Sequence, residues 1–303
     1  MKTYSNANLI RKHQKGVLAI GNFDGIHLGH QKVIRDAKKK AIKNKLPFGI
    51  MTFDPVPVMF FDKRIKSHRI NSLYQKISQF KKYKLDFLII IKFNKKFSKL
   101  SAEQFIEKII FEKTKCKYLY VSKNFRFGFK RRGSIKTLKK FENKFNYKNL
   151  IIKPFKKNKK VISSTLIRKK IREGKIKDVN KLLNRNWVVD GKVIKGNKRG
   201  RKIGFPTCNL KMGNYVIPRL GVYAVKVKSN DFNKKGVGNI GYRPTFNGQS
   251  LLLETYIFGI NKNLYKKVIS VSFKKFIRGE KKFKDVEYLK KQIKIDIKQA
   301  KKQ

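Results

Sequence analysis

Val17-Leu18-Ala19-Ile20-Gly21-Asn22-Phe23-Asp24-Gly25-Ile26-His27-Leu28-Gly29-His30 is the stretch on which the reading of the fold turns. It starts as an apolar run, predicting a strand over 17–23, and breaks into a loop with glycine at 21, 25 and 29. Directly after it, Val33, Ile34, Ala37, Ala41 and Ile42 recur at helical spacing and predict a helix over 31–43. Glycines in such a turn permit tight bends and let an anion approach the backbone. The helix start adds unpaired N–H groups and a partial positive charge. His27 and His30, two of the four histidines in the chain, can add directed donors. The bland alternative is a pair of structural histidines in a Gly-rich loop, since an isolated HxGH has little specificity. Position after a strand and before a helix favours a phosphate cradle.

Outward from this stretch, strand-like runs at 48–53, 87–93, 118–121 and 150–152 alternate with helical patterns, among them Ala102–Lys113 with Phe105, Ile109 and Ile110 on one face. Strand–helix–strand alternation predicts a parallel sheet covered on both faces, with ligands at the carboxyl ends of its strands. Asn22–Asp24, Asp54 and Asn124 all fall at such ends. From Trp187 onward the pattern changes to short strands separated by Gly, Pro and Asn, at 188–194, 222–227, 236–240, 251–258 and 268–273. No long helix intervenes, which predicts an antiparallel barrel or sandwich. A terminal helix from Val286 to about Lys302 carries Val286, Leu289, Ile293, Ile297 and Ala300 as its apolar stripe. The expected fold is therefore α/β followed by β, with domains over 1–184 and 185–303.

The chain has 303 residues, 78 Lys+Arg against 18 Asp+Glu, and a formal charge of +60. Two cores of useful size are affordable at this length. The lysines run along the whole chain instead of clustering, so the charge reads as compositional. It favours anionic substrates and nonspecific RNA adhesion at low salt, and no specific nucleic-acid partner is expected. No apolar run is long enough to cross a bilayer and no leader is apparent, so the expected location is cytoplasmic, without membrane attachment. Cys116 and Cys208 lie far apart without metal-ligand spacing and read as free thiols. Nothing in the sequence sets the oligomeric state.

Two features of the second half carry chemistry. The run Gly191-Lys192-Val193-Ile194-Lys195-Gly196, followed by Gly200-Arg201-Lys202-Ile203-Gly204-Phe205-Pro206-Thr207-Cys208-Asn209-Leu210, has glycines whose amides can hold phosphate. The Thr207 hydroxyl and Asn209 carbonyl are hard oxygens suited to a partly hydrated magnesium ion. A capped turn between barrel strands is the alternative. In Leu251-Leu252-Leu253-Glu254-Thr255-Tyr256-Ile257-Phe258, period two places Leu252, Glu254, Tyr256 and Phe258 on one face. A carboxylate there is costly unless paired or turned toward a ligand cavity. The competing reading is an edge-strand glutamate paired with a lysine.

Taken together these motifs resemble those of the bacterial riboflavin kinase/FAD synthetase family. Residues 21–30 resemble its adenylyltransferase signature, and Ile162-Ser163-Ser164-Thr165-Leu166-Ile167-Arg168 resembles its second phosphate motif, with Leu166 where arginine is usual. Thr52–Pro57 and Asn124–Gly128 resemble two further segments of that module. Gly191–Leu210, Asn239–Phe246 and Phe276–Phe283 resemble the flavokinase module, with Glu254 in the place of its catalytic glutamate. Lys266 stands where glycine is common, so either the turn differs or Lys266 adopts a strained φ.

The resemblance implies phosphorylation of riboflavin by ATP, then adenylylation of FMN to FAD, with magnesium bridging phosphates. It implies catalytic roles for Glu254, His27, His30 and Arg168. Contacts to ATP are implied for Gly21, Phe23, Asp24, Gly25, Gly29, Asn124, Ser163, Ser164 and Thr165 in one module, and for Gly196, Gly200, Gly204, Thr207 and Asn209 in the other. Thr207 and Asn209 are also the implied metal ligands, and Asp54, Pro57, Phe60, Phe61 and Arg278 the flavin contacts.

Overall fold

The computed structural model describes residues 1–157, 160–196, 199–245 and 248–303. Two compact units divide the chain. The first comprises Met1–Lys66 and Leu73–Ser163, the second Ser67–Ser72 and Ser164–Gln303.

In the first unit, β1 (Lys2–Tyr4), β2 (Val17–Ile20), β3 (Phe48–Asp54), β4 (Phe87–Lys92), β5 (Tyr118–Ser122) and β6 (Lys148–Ile152) form one sheet. Its order is β1-β4-β3-β2-β5-β6, and every pairing is parallel. A small antiparallel ribbon, β7 (Lys156–Lys157) with β8 (Lys160–Val161), follows. The helices are α1 (Leu28–Lys43), α2 (Pro57–Phe61), α3 (Leu73–Lys81), α4 (Lys95–Ser98), α5 (Ala102–Gln104) and α6 (Ile135–Lys140). Both faces of the sheet are covered, which is why its strands are apolar at successive positions. Leu18, Ile20, Met51, Leu119 and Val121 pack in one core with Phe105, Ile106 and Ile110. Val17, Ala19, Ile50 and Leu88 pack in the other with Val33, Ile34 and Ala37 of α1.

The second unit begins with α7 (Ser164–Arg172) and α8 (Ile176–Leu183), whose Ile167, Ile171, Val179 and Leu183 are buried. Its sheet contains β9 (Val188–Lys192), β10 (Thr207–Lys211), β11 (Gly221–Lys228), β12 (Asn233–Thr245), β13 (Gly248–Ile257) and β14 (Val268–Arg278). The order is β10-β13-β12-β11-β14-β9, antiparallel throughout. An antiparallel bridge between Ile194 and Asn209 brings its two ends together, so the sheet is a nearly closed barrel. Val189, Leu210, Val225, Ile240, Leu253 and Phe273 are buried within it. Trp187 lies 4.7 Å from the Phe273 ring, and its indole N–H donates to the Ile70 carbonyl at 2.8 Å. That bond fixes the short segment 67–72 in this unit. A short α9 (Arg199–Lys202) precedes β10, and α10 (Val286–Lys301) closes the chain.

The expected α/β sheet and antiparallel barrel with terminal helix are both present, with several local differences. β2 stops at Ile20, because Phe23 takes φ +48° and leaves the extended region. α1 starts at Leu28 instead of 31, since the His27 ring caps it by accepting from the His30 N–H at 3.3 Å. The helix expected over 102–113 is a short α5, opened by a reciprocal Ser101–Gln104 capping box, and then a π-helical stretch Phe105–Thr114. Val286 begins α10 exposed, so the inward stripe starts at the half-buried Leu289, and only Ala300 of the expected apolar set is fully buried. Phe246, the last residue of the run 239–246, lies outside the described residues. Cys116 and Cys208 are free and buried, and burial pushes each thiol up to about 12.

Lys266 keeps the tight turn by adopting φ +66°. A left-handed non-glycine residue costs about 1–2 kcal/mol, while glycine loses about 0.5–1 kcal/mol more backbone entropy on folding. Lys266→Gly is therefore expected to stabilise the protein by about 0.5–1 kcal/mol, read as a higher urea midpoint at unchanged slope.

Candidate active sites

The first site forms where the sheet order reverses. β2 pairs with β3 on one side and β5 on the other, so the loops leaving these strands diverge at their carboxyl ends, the place where open parallel sheets take their ligands. The loop 21–27 runs from β2 into α1 at this place. Phe23, Asp24, Gly25, Ile26 and His27 are all buried, and the amide of Gln31 donates to the Ile26 carbonyl at 3.0 Å. The His27 and His30 rings stack with centroids 3.7 Å apart. Gly29 has a packing reason. A Cβ there would lie 3.1 Å from the His27 ring and 3.5 Å from the Ile162 carbonyl. The backbone just before Ser163 thus reaches the first motif.

Around the same strand ends, the Asp54 carbonyl accepts from the Phe93 N–H at 2.9 Å. Pro57 opens α2, and Phe60 and Phe61 of that helix meet Phe93 at 5.3 and 5.7 Å. Phe93 also touches Phe53 and Phe97. Phe61 remains 65% exposed, which leaves an aromatic platform open at one side. Asn124 sits exposed in the turn after β5, while Phe125 and Phe127 stack on each other at the core, as packing residues.

In the second unit, α7 opens at Ser164, with Thr165 exposed in its first turn. Arg168 lies one turn on, and its Nε donates to the His68 carbonyl at 2.9 Å.

The other site is a cavity of about 1030 Å³ against β10 and β13. Gly196, Gly200, Thr207, Asn209, Glu254 and Arg278 all line it; Gly204 lies exposed in the loop before Phe205. Strand register places Asn209 directly opposite Glu254 across the β10–β13 ladder. Leu252, Glu254 and Tyr256 face the cavity, as their period-two spacing predicts, while Leu253 and Thr255 point into the barrel, fully buried. Gly196 lacks a side chain for a steric reason, because a Cβ there would lie 1.9 Å from the Asn209 Nδ2. Asn209 is 6% exposed, and its Oδ1 is buried without a hydrogen-bond partner. A buried carbonyl oxygen left unsatisfied costs about 1–3 kcal/mol and calls for a ligand.

Three residues of this cavity do work that the sequence reading did not assign. Glu254 is paired, but with Arg243, whose Nη2 and Nε donate to its Oε2 at 2.6 and 3.0 Å. Arg243 also stands 4.0 Å from Glu280. Arg278 lines the cavity, yet its fork is held by Asp296 of α10, through Nε at 3.0 Å and Nη2 at 2.8 Å. The Arg278 guanidinium also stacks 5.6 Å over Phe283. Asp296 was legible in principle: it follows Leu289 and Ile293 by seven and three residues, which places an acid on the apolar stripe.

Comparison with known proteins bears directly on these two sites. A family model described as FAD synthetase matches residues 9–166, and one described as riboflavin kinase matches 183–303. The chain belongs to the bifunctional riboflavin kinase/FMN adenylyltransferase family. A protein named bifunctional riboflavin kinase/FMN adenylyltransferase from Buchnera aphidicola subsp. Schizaphis graminum is 41% identical, over 97% of this chain and 96% of that one. The protein of the same name from Escherichia coli K12 is 33% identical, over 95% and 93%. A crystal structure described as a macrolide-efflux protein from Streptococcus pneumoniae is 30% identical and superposes with a TM-score of 0.86, over 99% of this chain and 98% of that one. Among the described residues of the present family member, no helix is long and apolar enough to cross a membrane.

The Arg278–Asp296 pair is nearly dry, with side chains 15% and 3% exposed. Removing one partner of such a pair leaves the other charge buried, at a cost of about 3–5 kcal/mol. Asp296→Ala is expected to destabilise the second unit by that amount in urea unfolding.

Proposed function

We propose that the two activities of the family are divided between the two halves of this chain, with FMN adenylylation carried by residues 1–184 and riboflavin phosphorylation by residues 185–303. The chain is a bifunctional riboflavin kinase and FMN adenylyltransferase that uses ATP in both steps. The family-model matches, which meet between 166 and 183, support this division. The observation that carries the kinase assignment is the facing pair across β10 and β13: a buried, unsatisfied Asn209 Oδ1 opposite a carboxylate at the cavity wall.

In the kinase half, the 5′-hydroxyl of riboflavin attacks the γ-phosphorus of ATP and ADP leaves. Glu254 accepts the hydroxyl proton, and Arg243 holds the carboxylate in one orientation while it does so. General-base help of this kind is typically worth about 10²–10⁴ in rate. Gly196 and Gly200 let the loop amides approach the phosphates. The donor set fits magnesium: Thr207 Oγ1 and Asn209 Oδ1 are hard oxygens, one exposed at the cavity edge and one orphaned within it. Among the described residues no group of three or more His, Cys, Asp or Glu stands together, so phosphate oxygens and water would complete the shell. When bound, the ion would neutralise developing charge on the transferred phosphate. Arg278, steadied by Asp296 and Phe283, forms part of the flavin-facing wall.

In the adenylyltransferase half, the FMN phosphate attacks the α-phosphorus of ATP and pyrophosphate leaves. Such transfer needs alignment and charge stabilisation more than a covalent nucleophile. Gly21, Phe23, Asp24, Gly25 and Gly29 shape the cradle, and His27 and His30 donate to phosphate oxygens. Asn124 and Ser163 supply further contacts to ATP. Asp54, Pro57, Phe60 and Phe61 border the flavin of FMN, with the aromatic cluster around Phe93 giving the ring a surface on which to stack. The partners are small molecules, namely riboflavin, FMN and ATP, and the enzyme acts in the cytoplasm.

Glu254→Gln is expected to lower FMN formation by about 10²–10⁴, while FAD synthesis from added FMN continues. Equal loss of both activities would argue against separate sites. His30→Ala is expected to do the reverse, so that riboflavin is converted to FMN, which accumulates. Chromatographic separation of flavins over time reads both outcomes, and normal FAD formation by the His30 variant would remove that residue from the mechanism.

A further inference from the structure

Lys76 is the one lysine of the described chain that ranks among the largest fully buried side chains, at 1% exposure. It lies on α3, between Leu73, Ile77 and Phe80, on the face that the other three make apolar. Lysine is among the residues least often fully buried, because its ammonium loses water. Here the ammonium is aimed at backbone. Lys76 Nζ donates to the Asn22 carbonyl at 3.0 Å and lies 3.4 Å from Thr52 Oγ1. The Thr52 hydroxyl donates to the same Asn22 carbonyl at 3.1 Å. One carbonyl of the 21–30 loop is thus gripped by a helix ammonium and by a hydroxyl from β3.

That loop needs holding. Phe23, Gly25 and Ile26 take φ +48°, +84° and +39°. Left-handed backbone is an outlier for bulky and β-branched residues and costs about 1–3 kcal/mol each, sustained only where the surroundings enforce it. α3 enforces it twice. Phe80, one turn beyond Lys76, packs edge-on to the Phe23 ring at 5.6 Å, and Phe23 in turn meets the His30 ring at 5.2 Å. A chain of contacts therefore runs from α3 through Asn22 and Phe23 to a histidine of the phosphate cradle.

We infer that Lys76 is a positioning residue for adenylyl transfer: through the Asn22 carbonyl it holds the strained loop 22–26 in the shape that presents His27, His30 and the start of α1 to the nucleotide. The inference rests on reading residues 21–30 as the adenylyltransferase cradle. An ammonium suits the task better than a neutral donor, since it offers three protons to backbone and hydroxyl acceptors at once and adds positive charge beneath a site for anions.

The test uses the full-length protein and three variants, assayed separately for FAD formation from FMN and for FMN formation from riboflavin. Lys76→Met keeps the length and loses the donor. It should lower kcat/KM for FMN adenylylation about 10²-fold, the scale expected when a reacting group is misplaced by about 1 Å. Most of that loss should appear in kcat, and riboflavin kinase activity should stay at the wild-type level. Thr52→Val, which removes only the second grip on Asn22, should give a smaller loss in the same direction. Lys76→Arg, which keeps a charged donor, should recover at least part of the activity lost in Lys76→Met. Adenylylation within threefold of wild type in Lys76→Met would overturn the inference. So would a variant that melts earlier but regains full kcat at low temperature, or failure of Lys76→Arg to exceed Lys76→Met. His30→Ala separates this from the underlying reading: a dead His30 variant beside a normal Lys76→Met sinks only the role of Lys76, whereas a fully active His30 variant sinks the cradle itself.

Discussion

Parallel pairing of β2 with strands on both sides is the constraint on which the loop 21–27 depends. A strand at the reversal point of a parallel sheet sends its following loop into a gap that no neighbouring loop covers. The chain fills that gap with residues 21–27 and pays for their shape with backbone strain at Phe23 and Ile26. Burial of Phe23, the His27 cap on α1 and the lysine beneath Asn22 then hold the loop. Strand order comes first in this sequence, because without the reversal the loop 21–27 would run between packed neighbouring loops.

The kinase half rests on a different constraint. In an antiparallel barrel, register decides which side chains face one another, and a slip of one residue sends each to the opposite face. Asn209 faces Glu254 because β10 and β13 are in that register, and the Ile194–Asn209 bridge holds β10 at the closure of the barrel. Gly196 then has to be glycine, since the Asn209 amide occupies the space of its missing side chain. A glycine-bearing loop and a carboxylate are thus brought to one cavity by strand pairing.

The parts of this that were legible in the sequence are those written as local pattern. Period two in 251–258 put Glu254 on one face with Leu252, Tyr256 and Phe258, and the cavity lining has all but Phe258, which lies past the end of β13. The motif at 21–30 announced its strand, its loop and its helix, although the His27 cap shifted the helix start, because capping depends on a ring rotamer that spacing does not encode. At Lys266, where the resembling family has glycine, the turn could differ or the lysine could take a strained φ, and the structure has the second. The unread parts depend on contacts far along the chain. β10 was hidden inside a Gly- and Pro-rich run, α3 carries a lysine on its apolar face, and α10 carries an aspartate on its own. Each breaks a periodic pattern because its partner, Asn22 in one case and Arg278 in the other, lies on another element.

The excess of basic residues sharpens this last point. With 78 Lys+Arg and 18 Asp+Glu, nearly any acid can find a cation, so pairing as such carries little meaning. The kind of cation does discriminate. Pairs near solvent mostly use lysine, as in Lys32–Asp36, Lys170–Asp178, Lys267–Asp231 and Lys290–Glu287. Exposed pairs of this sort contribute about 0–1 kcal/mol. The acids lining the second cavity pair with arginine: Arg243 stands against Glu254 and Glu280, Arg278 against Asp296, and Glu254 and Asp296 each receive two nitrogens. Arg278 spans both oxygens of Asp296 and fixes the carboxylate plane, while Arg243 grips the single Oε2 of Glu254 with two nitrogens, a hold that a rotating ammonium does not give. In a chain where lysine is the commoner base, arginine at these two positions therefore sets how the carboxylates are held and not only that their charge is met.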